Sequence, residues 1–314
     1  MKISGFTMGR NVSKLAYPIK ESIQSILPVV DEYVVALGES DADDDTLALI
    51  KSIQSPKIKI IHTKWDLEKY PDGTENAHQT DIAKKACSGD WLFYLQADEV
   101  VHEKYLATIR KRCHELLDDK EVEGLLFKYR HFWGDFDHYH DSHTWYSDEI
   151  RIVRNDPEIH SWKSAQSFRR IPGFDGINYR QKKGTHKLKV ARVDAMIYHY
   201  GWVRPPHLMK NKMKALSVIH KGQEQTNRIF DNKKFDYGPL NRLKVFRDSH
   251  PKVMRKWIKA YNWRNDLQFS GAPAKNRRKH KHEKKKYRIL SWVENNLLMG
   301  RKLGGSKNYI LLKR

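Results

Sequence analysis

The chain is poor in cysteine, in long apolar runs and, beyond its first third, in acidic side chains. Cys87 and Cys113 are the only cysteines among 314 residues. This argues against a disulfide-braced secreted domain and favours a reducing, cytoplasmic setting. No stretch of 18 apolar residues occurs, so we expect no membrane-spanning helix. The first six residues lack the apolar core of a secretion signal and are typical of a first strand.

The formal net charge of +21 is unevenly distributed. The first 100 residues hold 11 Lys and Arg against 16 Asp and Glu, so the positive excess belongs to the later residues. Residues 275–288 alone contain nine Lys or Arg and one Glu. A basic region such as residues 101–314 attracts nucleic acid, an anionic membrane or an anionic acceptor. The run 275–288 is either a solvated face or linker, or a peripheral contact with an anionic membrane.

Short apolar runs alternate with amphipathic stretches through the first 100 residues. The apolar runs predict four strands, and the stretches between them carry apolar side chains at helical spacing. The predicted strands are residues 3–7, 33–37, 58–62 and 91–95. This alternation predicts an α/β fold with a parallel sheet and right-handed crossovers. Later runs with alternating faces, including Asp148–Arg154, predict an antiparallel extension of the sheet.

Polar residues follow each of these strands where it ends, at 7–11, 38–45, 62–66 and 96–99. Because ligands of such sheets bind outside the carboxyl ends of the strands, we expect one site at one edge. Asp98 and Glu99 come directly after a strand that is apolar on both faces. Carboxylates there are costly unless they are solvated, paired or bound to a metal.

The stretch from Ala86 to Glu99 resembles family 2 glycosyltransferases of the GT-A fold. It has a Gly89-Asp90 turn, an apolar strand and then residues 96–99, Gln-Ala-Asp-Glu, where the family has Asp-Ala-Asp-Glu. Gln96 thus replaces one family Asp, and Leu37 replaces the Asp that commonly contacts the nucleotide. The resemblance covers roughly residues 2–205. It implies a Rossmann-like, mostly parallel sheet with helices on both faces and an antiparallel extension on the acceptor side.

The resemblance also implies a set of site residues. Asp98 would hold a divalent Mn²⁺ or Mg²⁺, and His199, a late histidine after a strand, would be a second ligand. Oxygen-rich sites of this kind suit both ions. Contacts with the nucleotide-sugar are expected from Thr7, Arg10, Asn11, Glu39, Asp41, Gln79, Gln96, Ala97, Asp98 and Glu99.

An inverting sugar transfer also needs a base that removes the proton of the incoming hydroxyl. Asp148 and Glu149 are candidates, and strand alternation sends them to opposite faces, so we expect only one to face the site. We favour Glu149, because Asp148 shares the more apolar face. Asp141 is a rival in the His- and Asp-rich loop 137–143. That loop matches no usual zinc spacing and is better interpreted as a polar acceptor loop.

We therefore expect a GT-A domain over residues 1–204, with a nucleotide-sugar half (1–100) and an acceptor half (101–204). A helical, strongly basic region follows at 205–314. The predicted function is an inverting, metal-dependent glycosyltransferase that moves a sugar from a UDP- or GDP-linked donor to a glycan, lipid-linked or other hydroxyl acceptor. We expect it to be cytoplasmic, and peripheral attachment at the inner face of a membrane is the alternative to a solvated run at 275–288.

Two other functions compete with this prediction. A nucleic-acid-binding protein would use the basic half, but no helix-turn-helix, zinc-finger or RNA-binding signature is present. A nucleotidyltransferase of similar topology has less support, because no Gly-rich phosphate loop opens the chain.

Overall fold

The computed structural model describes residues 1–229, 235–273, 277–304 and 307–314. These residues form one large twisted sheet with helices packed on both of its faces. The strands of the described residues, β1 to β13 in chain order, are Ile3–Gly9, Glu32–Gly38, Ile58–Thr63, Trp91–Tyr94, Glu99–Val101, Gly124–Trp133, His138–His140, Asp148–Arg154, Ile159–Trp162, Ser167–Arg170, His186–Trp202, Lys244–Val245 and Tyr309–Leu311. The α-helices, α1 to α8, are Ile19–Ile26, Thr46–Lys51, Thr74–Lys85, Leu106–Glu115, Pro206–Lys221, Gln223–Ile229, Arg255–Lys259 and Lys285–Asn296.

The main path of the sheet runs in the order β3-β2-β1-β4-β8-β6-β11-β10-β9. Strands β3, β2, β1 and β4 are parallel, so their carboxyl ends share one edge. Strand β8 is antiparallel to both β4 and β6, and β11 is parallel to β6. The mixed α/β sheet predicted from the sequence is confirmed, with its antiparallel part beyond residue 100.

Strand β4 lacks polar alternation because both of its faces are packed. Trp91 and Phe93 enter the core layer under α1, α2 and α4, while Leu92 and Tyr94 enter the layer under α3. Burying a large apolar side chain contributes about 2 kcal/mol. Two buried layers therefore fix the register of β4 and the position of the loop that follows it.

The two cysteines lie in different layers. Cys113 on α4 packs in the first layer and Cys87 packs in the second. Both are free thiols, and burial raises the pKa of each to about 12. They are therefore unreactive in the folded chain.

Strand β11 is long and irregular. It pairs with β6 from Val190 to Trp202, and its register shifts between Arg192 and Met196 and again between His199 and Trp202. The exposed Asp194 lies in the first of these irregularities. His199, which we expected after a strand, therefore lies within β11.

Residues beyond 204 contain strands as well as helices. Strand β12 pairs with β7 and β13 pairs with β11, so contacts cross the predicted boundary at 204/205. The division into two parts stays a prediction. Of the basic run, residues 275 and 276 lie outside the described residues. Arg277 is mostly buried and paired with Glu283, whereas the other seven described Lys and Arg of the run are exposed. Among the described residues, no helix is long and apolar enough to cross a bilayer.

Candidate active site

Asp98 lies in the turn between β4 and β5, at the carboxyl edge of the parallel strands. Strand β5 pairs antiparallel with β11, and the amide of Tyr200 donates to the Asp98 carbonyl over 2.8 Å. This pairing brings His199 to the site, with Nε2 3.7 Å from Asp98 Oδ2. Gly201 makes room, since a Cβ there would lie 2.5 Å from both atoms. The two predicted metal ligands are thus adjacent.

A buried lysine already contacts this carboxylate. Lys212, on α5, places Nζ 3.0 Å from Asp98 Oδ2 and donates to the Gly201 carbonyl over 2.6 Å. Burial alone would raise the pKa of Asp98, but the cations of Lys212 and Arg204 hold it well below its usual range. Burial and the nearby Arg204 lower the pKa of Lys212 to about 8 against the opposing effect of Asp98. Both members of the pair are therefore charged at neutral pH.

Arg204 adds a second cation and is only 1% exposed. Its Nη2 donates to the carbonyl of Ala16 over 3.1 Å, and its guanidinium carbon lies 4.8 Å from the ring centre of Tyr17. Within the described part of the chain, Nε and Nη1 have no hydrogen-bond partner. A buried, unsatisfied guanidinium is costly, and an anionic ligand would relieve that cost. Through Ala16 and Tyr17, the loop that leaves β1 reaches the Asp98 cluster.

The hydrogen bonds of a neighbouring histidine orient His199. His131 Nε2 lies 2.8 Å from the carbonyl of Tyr146, which can only accept, so Nε2 carries the proton. Burial, reinforced by His199, lowers the pKa of His131 well below its usual value, so its Nδ1 accepts. His199 Nδ1, 2.9 Å away, must then be the donor. A neutral His199 consequently presents the Nε2 lone pair beside Asp98.

This donor set fits a divalent metal ion. Asp98 Oδ2 and the Nε2 lone pair of His199 are two suitable ligands, and a backing hydrogen bond of the kind His131 supplies is typical of metal-bound histidines. No cluster of three or more His, Cys, Asp or Glu suited to a metal occurs among the described residues. Mn²⁺ and Mg²⁺ commonly take few protein ligands and complete their shell with phosphate oxygens and water. Asp98 and His199 would hold such an ion, once Lys212 left Oδ2.

The loops after β1 and β2 are bonded to each other at the same edge. Arg10 Nε donates to the carbonyl of Glu39 over 2.9 Å, and Asn11 Oδ1 accepts from the amide of Asp41 over 2.8 Å. Asn11 has φ +53°, a left-handed conformation that asparagine tolerates better than most residues. The four predicted nucleotide contacts in these loops are therefore brought together. Trp65 borders them, 6.0 Å from the Arg10 guanidinium.

Other predicted contacts are buried within the protein. Thr7 Oγ1 donates to the carbonyl of Leu95 over 2.6 Å and so ties the end of β1 to the end of β4. Gln79 is fully buried and accepts from Thr63 Oγ1 over 2.6 Å. Ala97 is 6% exposed. These residues brace the strand ends, and their contact with a nucleotide-sugar stays a prediction.

Glu99 is enclosed by a dense set of hydrogen bonds. Arg151 binds both of its oxygens, with Nε and Nη2 each at 2.7 Å. Tyr129 and the amide of Gln96 add bonds of 2.8 and 3.1 Å. The Gln96 side chain is turned away and donates to the carbonyl of Ala165 over 3.0 Å. Glu99 and Gln96 therefore stabilise the turn around Asp98, and their side chains are bonded within the protein rather than exposed to a ligand.

The three candidate bases line one cavity of about 650 Å³ between β6, β8 and the C-terminal residues. Asp148 and Glu149 both line it, although strand alternation sends their side chains to opposite faces of β8. That only one of them faces the Asp98 site stays a prediction. Asp148 is paired with Arg192 and Asp141 with Lys244.

Glu149 differs from the other two candidates because it has no ion-pair partner at hydrogen-bond distance among the described residues. Its Oε1 accepts from Ser167 Oγ over 2.7 Å and from the amide of Ile150 over 2.9 Å. Burial raises its pKa against the opposing effect of Arg151. A carboxylate with a raised pKa is the better proton acceptor near neutral pH. His131 lines the same cavity and connects it to His199 and Asp98.

Sequence reasoning missed Lys212, Arg204 and His131. Lys212 was passed over because a lysine on a helix usually points to solvent. Its spacing gave a signal, since it lies three residues after Met209 and four before Leu216, on the inward face of α5. His131 offered an equivalent signal, because it continues the buried face of β6 defined by Phe127 and Tyr129.

The solved structures described here resemble this chain only distantly. No family model and no curated protein sequence matches the chain. Among solved structures, S. aureus TarS is 17% identical, with a TM-score of 0.39 over 69% of this chain and 39% of that chain. TarS 1-349 in complex with UDP is 14% identical, with a TM-score of 0.36 over 70% and 65%.

A third solved structure is glucosyl-3-phosphoglycerate synthase from Mycobacterium tuberculosis in complex with Mn²⁺, UDP and phosphoglyceric acid. It is 19% identical, with a TM-score of 0.28 over 42% of this chain and 43% of that chain. The match thus spans less than two thirds of the length of each of these proteins. Likeness this distant carries no functional weight, so we base the function on the residues of this chain.

Proposed function

We propose that this chain is a glycosyltransferase that moves a sugar from a nucleoside-diphosphate donor to a hydroxyl acceptor. The observation that carries the proposal is the cluster of Asp98, His199, Lys212 and Arg204 at the carboxyl ends of parallel strands. Two buried cations, one with unpartnered donors, suit a diphosphate. The sequence motif at residues 86–99 points to the same reaction class.

The chain supplies two chemical functions to this reaction. Arg204 and Lys212 donate to the diphosphate as negative charge develops on it, which lowers the barrier to its departure. Glu149 takes the proton of the acceptor hydroxyl while the acceptor oxygen bonds to the anomeric carbon. The bond from that carbon to the diphosphate oxygen breaks, and the nucleoside diphosphate leaves with the electron pair. Mn²⁺ or Mg²⁺, held by Asp98 and His199, supplies further positive charge to the phosphates when bound.

Inversion at the anomeric carbon is part of the proposal. Direct attack by the acceptor on the face opposite the leaving group requires one base and no covalent sugar–enzyme intermediate. Glu149 serves as that base because Asp148 and Asp141 are each neutralised by a cation. The anomeric configuration of the product tests this directly.

The acceptor side favours a polar or anionic glycan. The cavity that holds Glu149 is bordered by several cationic side chains, which attract phosphate or carboxylate groups on an acceptor. They are Lys128, Arg130, Arg192, Arg301, Lys302 and Lys307. A lipid-linked acceptor and attachment through 275–288 to an anionic membrane remain predictions, which sedimentation with anionic vesicles would test.

The test is release of nucleoside diphosphate from a panel of UDP- and GDP-sugars with Mn²⁺, with and without glycan acceptors. Asp98→Asn should lower turnover by about 100-fold or more, because removing one such electrostatic contact commonly has this effect. Asp118→Asn, at an exposed position after α4, is the matched control and should keep wild-type turnover.

The outcomes separate the hypotheses. Equal turnover in Asp98→Asn and wild type would reject Asp98 as a site residue. No binding of any UDP- or GDP-linked donor would reject the proposal as a whole. Salt-dependent binding of DNA or RNA without donor binding would favour the nucleic-acid alternative. Arg277 is bound to Glu283, but Arg278, Lys279 and Lys281 are exposed, so the donor-binding and salt-dependence measurements decide between the two functions.

A further inference from the structure

The Asp98 oxygen that a metal ion would bind beside His199 is already bonded to Lys212. Lys212 Nζ lies 3.0 Å from Oδ2, the same atom that faces the His199 lone pair. A divalent ion bonds a carboxylate oxygen at about 2.1 Å, so it would lie against the ammonium group. Like charges that close repel strongly in a buried site. Metal binding at Asp98 therefore requires Lys212 to leave.

Aromatic rings flank Lys212 beside Asp98. Its Nζ lies 4.7 Å from the ring centre of Tyr17 and 5.8 Å from that of Trp202. Aromatic faces stabilise a cation at this range. These contacts do not depend on Oδ2, so they would still stabilise the ammonium group after a small movement away from the carboxylate.

The charges of the site do not balance without a ligand. Arg204 and Lys212 are opposed by the single carboxylate of Asp98, so one positive charge is left over in a buried region. A metal ion alone makes this excess larger. The diphosphate carries about two negative charges in the nucleotide-sugar and about three once the sugar has left, so it offsets most or all of the positive charge of the site and the metal ion. The N–H groups at Nε and Nη1 of Arg204, which have no hydrogen-bond partner among the described residues, supply donors for that anion.

We propose that Lys212 is a built-in cation that competes with the divalent metal for Asp98, and that the donor diphosphate ends this competition by binding Lys212 and Arg204. The inference rests on the proposed function and extends it to the order of binding. The metal binds weakly to the free protein and tightly only together with the nucleotide. Such mutual dependence is a coupling free energy between the two ligands.

The experiment measures Mn²⁺ affinity directly, by titration of free Mn²⁺ with electron paramagnetic resonance. Without nucleotide, Lys212→Met should bind Mn²⁺ about 10- to 100-fold more tightly than wild type, the range expected for removing a charge-assisted hydrogen bond that blocks the site. Lys212→Arg keeps the cation and should keep the low affinity. Asp98→Asn should not bind Mn²⁺ measurably.

A matched control is Lys84→Met. Lys84 is another buried lysine on a helix, and its Nζ donates to the carbonyl of Asp156 over 2.8 Å. Its replacement should leave Mn²⁺ affinity unchanged. Adding UDP or GDP should raise the Mn²⁺ affinity of wild type by at least about tenfold, and raise that of Lys212→Met less.

Equal Mn²⁺ affinity in Lys212→Met and wild type overturns the inference. If Lys212→Met does not fold, the wild type decides, since an affinity for Mn²⁺ that neither UDP nor GDP raises also overturns it. These results are independent of turnover. Donor turnover together with equal Mn²⁺ affinity in Lys212→Met and wild type would support the proposed function and reject the competition. Tighter Mn²⁺ binding by Lys212→Met without any donor turnover would support the competition and reject the proposed function.

Discussion

At the scale of single residues, the acids at the end of β4 have different roles. Asp98 is shared between a lysine and a histidine in the candidate site, whereas Glu99 is fully buried and bonded on both oxygens by Arg151. The family motif treats the two as one acidic pair. Their hydrogen bonds show that Asp98 can exchange partners, whereas Glu99 is bound on both oxygens and cannot.

We predict that Glu99→Gln destabilises the fold. The substitution leaves Arg151 buried without its counter-charge, and breaking a buried pair in this way costs about 3–5 kcal/mol. The unfolding free energy from urea titration measures the loss. Glu115→Gln, which removes an exposed partner of Arg112, should cost less than about 1 kcal/mol. A stable Glu99→Gln variant that no longer binds donor would instead make Glu99 a sugar-contacting residue, as the sequence predicted.

The sequence was informative about residues that belong to local patterns. Asp98 and the loops at residues 10–11 and 39–41 follow strands, so their shared edge could be derived from element order. Lys212 and Arg204 could not be placed this way. The bond between Lys212 and Asp98 joins residues 114 apart in the chain, and Arg204 lies just after β11, so no local spacing brings either of them to Asp98.

At the scale of elements, β11 organises the site. It pairs with β5 and β6, and it carries His199 and Gly201 beside the Asp98 turn. The sequence predicted the four parallel strands and β8 within two residues at each end, because each is a buried apolar run or alternates between two faces. It did not predict β5 or β13, since strands of three residues are defined by their pairing rather than by their own pattern.

We predict that Gly201→Ala weakens the site more than the fold. Its added methyl group would collide with Asp98 Oδ2 and His199 Nε2, so the two ligands must separate. A displacement of this size can lower turnover by about 100-fold. Donor turnover and Mn²⁺ binding report the effect, and thermal unfolding checks the fold. Asp194→Ala, at an exposed position of the same strand, is the control. Wild-type Mn²⁺ binding and turnover in Gly201→Ala would contradict the assigned geometry.

At the scale of the whole molecule, the C-terminal residues dock onto the body of the protein. His280 and His282 lie near His140 and Trp133, with ring centres of His140 and His282 4.3 Å apart. Helix α8 continues this contact, since Glu294 binds His143 over 2.6 Å. His280 and His282, which lie within the basic run 275–288, therefore help to hold that run against the body of the protein by packing on aromatic rings.

We predict that acid loosens this docking. Burial lowers the pKa of His140, His280 and His282, that of His282 to about 4. A released histidine titrates near 6.5, so between pH 6.5 and 4 the released state binds protons that the docked state does not. Docking is thus full above pH 6.5 and weakens as the pH falls towards 4.

Hydrogen exchange of α8, corrected for intrinsic rates, should therefore be faster at pH 5 than at pH 7. His282→Gln should reduce that difference, while α4, which packs in the layer under the sheet, serves as an internal control. Protection of α8 that does not change with pH would contradict the prediction.

The placement of the two thiols gives the chain a built-in pair of reporters. Cys113 is sealed in the core layer beneath α4 and Cys87 in the opposite layer. A maleimide or a similar alkylating reagent can reach either sulfur only after its own layer opens. Peptide mapping after timed labelling would therefore show whether the two sides of the sheet melt together or one before the other, without introducing a single new cysteine.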